Sequence, residues 1–106
     1  MNLSRDEHNT DVCEFRVLDT EFICLIDGRI FRKMKTSNWK EVKNTQNHNK
    51  GYNVIVVNKK QYSRAKLILY AYGKISLTEK NKNIYHKNAD RLDCHLDNLT
   101  TDVLKV

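Results

Sequence analysis

Apolar and polar positions alternate in a way that changes twice along the chain. Residues 14–19 and 22–26 are rich in Val, Phe, Ile and Leu, side chains that suit a pleated surface, and predict two strands. Asp27 and Gly28 follow, then the apolar-basic run 29–33. An Asp-Gly pair between two such runs predicts a hairpin, because the turn needs positive backbone dihedrals. Trp39 stands in a polar segment with Val42 three residues on, and its large apolar area makes it an expected core anchor. Residues 44–50 read as a polar loop tip ending at Gly51. Over 52–57 the chain alternates, with Tyr52, Val54 and Val56 on one face and Asn53 and Ile55 on the other. Asn58, Lys59 and Lys60 read as a turn, and Gln61 and Tyr62 open a further strand. From Ser63 the period becomes helical. Leu67, Ile68, Ala71 and Tyr72 share one face, Ser63 is a fitting N-cap and Gly73 a stop, so residues 64–72 are expected to form a short helix. Residues 74–83 read as a basic loop.

The predicted fold class is therefore α+β: small, mostly antiparallel strands and hairpins with one short helix. The 106 residues suit one small domain. Residues 1–13 carry no periodicity and are expected to be a flexible acidic lead-in, with the domain over 14–106. No apolar run approaches the ~18–20 residues of a membrane span, and the polar N-terminus lacks a secretory pattern. A soluble, intracellular protein without membrane contact is expected. Cys13, Cys24 and Cys94 are an odd number without paired spacing, which fits free thiols better than a disulfide framework or a zinc site.

Charge changes this picture. The net charge is +6, but the signs are segregated: residues 29–87 carry 15 Lys or Arg against only Glu41 and Glu79, while both ends are acidic. A basic central segment with few compensating acids is an electrostatic footprint for nucleic acid. Arg29, Arg32, Lys33, Lys59, Lys60, Arg64 and Lys66 are the expected phosphate contacts, and double-stranded DNA is the expected partner.

The last segment carries the candidate chemistry. Ile84, Tyr85 and His86 lead into Asn88-Ala89, then Leu92-Asp93 and Asp97-Asn98-Leu99, with Asn98 twelve residues after His86. Upstream stand Gly28-Arg29-Ile30-Phe31, Trp39, Gly51-Tyr52, Tyr62, and Leu67-Ile68 through Ala71-Tyr72. In order and spacing these motifs resemble the HNH endonucleases found in homing elements and in large phage or viral genomes, over residues 22–101. The resemblance implies an incomplete ββα-metal motif. His86 would be the general base, an imidazole that titrates near working pH. Asn98 and Leu99 would be structural at the site, and Mg or Mn would be the cofactor of an active enzyme.

Several positions depart from the family pattern. Tyr85 stands where an Asp or Asn ligand is usual, Asn88-Ala89 replaces Asp-Gly, Ala65 replaces a His, and the chain ends at Val106 before the helix that carries the last ligand. A phenol stays protonated near neutrality and serves a hard cation poorly, which leaves Asp90 and Asp93 as candidate metal ligands. The expectation is a nucleic-acid-binding protein derived from an HNH endonuclease, its catalytic competence in question. The alternatives are an active metal-dependent nicking endonuclease, and a structural or regulatory module whose acidic ends meet a basic protein.

Overall fold

The structure, a computed structural model, describes residues 12–78 and 83–102. Strands β1 (Val12–Val17), β2 (Thr20–Leu25), β3 (Ile30–Lys33) and β4 (Trp39–Val42) form one antiparallel sheet in that order. A second hairpin, β5 (Val54–Val57) and β6 (Lys60–Ser63), runs directly into the helix α1 (Arg64–Ala71). Two-residue strands β7 (Tyr85–His86) and β8 (Leu99–Thr100) pair at the end of the chain, β8 following a single 3-10 turn over Leu96–Asn98. The α+β class with antiparallel strands and one short helix is what the chain adopts. Among the described residues no helix is long and apolar enough to cross a membrane.

The first two strands begin two residues earlier than the apolar runs suggested. Val12 and Cys13 belong to β1 rather than to a lead-in; the remainder of that expected lead-in, residues 1–11, lies outside the described residues. The displacement comes from the turn. Val17 pairs with Thr20, so Leu18 and Asp19 form a two-residue connection, and Leu18 adopts φ 56°. Leucine seldom takes a positive φ, so its apolar character reads as strand when it is turn. The turn at Asn58 and Lys59 shows φ 51° and 69°, the pair of positive dihedrals of a type I′ hairpin.

Alternation along β1 to β3 places Phe15, Val17, Phe22, Cys24 and Ile30 on one inner face. Phe15 stacks on Phe22 at 5.1 Å between ring centroids and meets Tyr70 edge-on at 6.2 Å. Onto this face pack Leu67, Ile68 and Leu69 of α1, together with Ile55 and Val57 of β5. The helix obeys its sequence signals. Ser63 Oγ accepts from the Lys66 amide at 3.1 Å, and Gly73 at φ 73° ends it while the Lys74 amide donates to Leu69 O.

Trp39 is corrected from core anchor to surface residue, 43% exposed. It lies on β4, the edge strand, three positions from Val42. Val42 pairs with fully buried Ile30, so alternation turns Trp39 to the outer face, opposite Lys33.

Candidate functional site

One buried cation organises the surroundings of the site. Arg64, the first residue of α1, is 1% exposed and corrects its expected role as a phosphate contact. Its Nε donates to Asn53 Oδ1 at 2.9 Å and its Nη1 to Gly28 O at 2.8 Å, while Nη2 reaches Val42 O. The guanidinium thus ties α1 to the β2–β3 turn, to β4 and to the loop before β5. Burial lowers its pKa, and the three acceptors compensate its lost hydration. Gly28 is held tightly as well: at φ 96°, a Cβ there would stand 2.8 Å from the Cys94 carbonyl oxygen. Leu96 N donates to Ile26 O beside it, so the β2–β3 turn is seated on the chain just before the 3-10 turn.

The loop between β7 and β8 closes around Asn98. Its Oδ1 accepts from the Asn88 amide at 3.0 Å, and its Nδ2 donates to Asn88 Oδ1 and to the Asp93 carbonyl. Its own carbonyl accepts from the Lys87 amide, and the Ala89 amide donates to His86 O. Ala89 takes φ 65°, the left-handed conformation in which glycine is at ease. Leu99, buried, sits opposite His86 across the β7–β8 pair. His86 and Asn98 are therefore brought to the two ends of one closed loop.

His86 lines a cleft of about 600 Å³ between this loop, residues 50–53 and the start of α1. Lys50, Lys66 and Arg91 line it too, and among the described residues no carboxylate does. Arg91 Nη1 donates to the Lys50 carbonyl, joining two of the segments that form the walls. His86 Nε2 is buried and meets no hydrogen-bond partner. Burial pushes the imidazole pKa down, Arg91 adds to the effect, and Asp90 and Asp93 oppose it. At neutral pH the ring is neutral and its tip is sealed from solvent.

The candidate metal ligands are committed elsewhere. Asp93 Oδ1 accepts from the His95 amide and faces His95 Nδ1 at 2.8 Å, while its Oδ2 accepts from Asn88 Nδ2 at 2.6 Å. These bonds, His95 first among them, hold the Asp93 carboxyl below its ordinary range. Asp90 Oδ1 accepts from the Leu92 amide. Neither residue lines the His86 cleft, although both carboxylates act on the imidazole electrostatically. Among the described residues no three His, Cys, Asp or Glu side chains converge on one point. A hard divalent cation wants several oxygen ligands, and this donor set does not fit one.

The other expected phosphate contacts divide. Lys66 lines the cleft. Lys59 and Lys60 are exposed at the β5–β6 turn, about 10 Å of strand from Ser63. Arg29 is exposed but paired to Asp27 at 2.9 Å, and Lys33 faces Glu21 at 3.4 Å. Arg32 is half-buried: it lies over the Phe22 ring at 5.6 Å and donates to Val56 O. Sequence reasoning missed Lys50, whose only signal was its place in the basic segment, and Arg91, which stands in the acidic end of the chain and gave none. No family model, curated protein or solved structure matches this chain.

Proposed function

We propose that this protein binds nucleic acid through a scaffold derived from an HNH endonuclease, without relying on catalysis. The observation that carries the reading is the cleft at His86, which Lys50, Lys66 and Arg91 line and which, among the described residues, no carboxylate lines. Such a surface suits phosphates, whose contacts supply most sequence-independent affinity. The HNH descent is supported by a strand ending in His86, a loop closed on Asn98, and Leu99 set opposite the histidine. Ala89 further supports it, because the backbone keeps the left-handed turn although the glycine usual in that family is replaced.

A nicking enzyme is the second reading, favoured by the neutral imidazole that lines the cleft, although its Nε2 is sealed from solvent. The donor set around His86 speaks against it, since neither Asp90 nor Asp93 reaches the cleft. Supercoiled plasmid separates the two. The native protein is expected to retard plasmid in EDTA, and to leave it uncut when Mg or Mn is supplied. Nicking by the native chain that is lost in His86→Ala, with retardation kept, would establish the enzyme instead. Absence of both retardation and cleavage would remove nucleic acid as the partner.

A further inference from the structure

The His86 cleft holds more than a phosphate needs. Tyr85, Asn83 and Tyr52, the last with its ring stacked on His48, line it beside the three cations. Its volume of about 600 Å³ lies within the range of pockets that enclose small ligands. A duplex keeps its bases stacked inside and offers such a recess only backbone, whereas an unpaired nucleotide brings a base as well. Aromatic side chains interleaved with cations are the usual means of holding single strands.

Arg91 supplies the second observation. Its guanidinium is spent on a neutral acceptor, the Lys50 carbonyl, while it lines the same recess as the sealed Nε2 of His86. A phosphate accepts two parallel charge-assisted bonds from a guanidinium, each roughly twice as strong as a neutral one. Resting on the nucleic-acid reading above, we propose that the cleft receives one unpaired nucleotide of a single strand. The phosphate lies among Lys50, Lys66 and Arg91 and draws Arg91 from the Lys50 carbonyl; the base fills the recess beside Tyr85.

Fluorescence anisotropy of the full chain tests this, with a labelled single strand of about 12 nucleotides compared with its duplex. The single strand is expected to bind about tenfold tighter, and Arg91→Ala to reduce that affinity about tenfold while affecting the duplex less. Because Arg91 also joins two walls, Lys50→Gln is measured beside it. That change removes a side-chain charge and leaves the Lys50 carbonyl in place, and the same loss of single-strand preference is expected. Equal affinity for both forms, tighter duplex binding, or an equal loss on both forms in Lys50→Gln overturns the nucleotide site while leaving the nucleic-acid reading intact. Failure of both forms to bind overturns the two together.

Discussion

His86 is a polar side chain kept in its neutral form by its surroundings. Burial first, and then the Arg91 guanidinium, disfavour the imidazolium, with Asp90 and Asp93 pulling the other way. The native pKa therefore lies below the unfolded value of about 6.5. Below that value the unfolded chain takes up a proton that the native state resists, so this contribution to stability is present above pH ~6.5 and declines as pH falls toward the native pKa. Urea titrations at pH 7.5 and pH 5.5 are expected to show a larger loss on acidification for the native protein than for His86→Gln. Equal losses would contradict the assigned environment. The sequence disclosed this residue through its spacing to Asn98, but its burial was not legible, because the cleft it lines is shared with residues 50–53 and with the start of α1, which are distant in sequence.

At the level of elements, Arg64 does what no local pattern announces. A basic residue directly after an N-cap reads as surface, and the charge count placed it among the phosphate contacts. Its position instead follows from tertiary geometry: the start of α1 faces the Gly28 and Val42 carbonyls and the Asn53 amide oxygen. Replacing Arg64 by Leu would leave three acceptors, two buried and one partly buried, without this donor, at about 1–3 kcal/mol each before relaxation. A loss on the order of 3–5 kcal/mol is expected from denaturant unfolding, and Arg64→Lys should recover little because one ammonium lacks the fork that meets all three. A loss below about 1 kcal/mol in Arg64→Leu would show that the acceptors find other partners.

Other elements were legible to differing degrees. The helix was clear because Ser63, Gly73 and the apolar spacing agree. Strand β4 was not, since Trp39, Lys40, Glu41 and Val42 follow no apolar alternation at a sheet edge. The bounds of β1 and β2 were displaced because Leu18 disguises a turn as strand.

For the whole molecule, the charge segregation seen in the sequence survives folding only in part. Arg64 is withdrawn into the interior, Arg29 and Lys33 face carboxylates, and Arg32 bridges to β5. Lys50, Lys66 and Arg91 line the cleft, Lys59 and Lys60 are exposed at the turn at the far end of β6, and Lys35, Lys40, Lys43, Lys74 and Lys87 are exposed as well. The most direct test of nucleic-acid binding is the salt dependence of affinity for duplex DNA, measured for the native protein and for the double variant Lys59→Gln/Lys60→Gln. Affinity is expected to fall linearly on logarithmic axes, and the slope to shrink by about 0.9 for each lysine that contacts a phosphate. An affinity indifferent to salt, or no binding at low salt, would contradict the account.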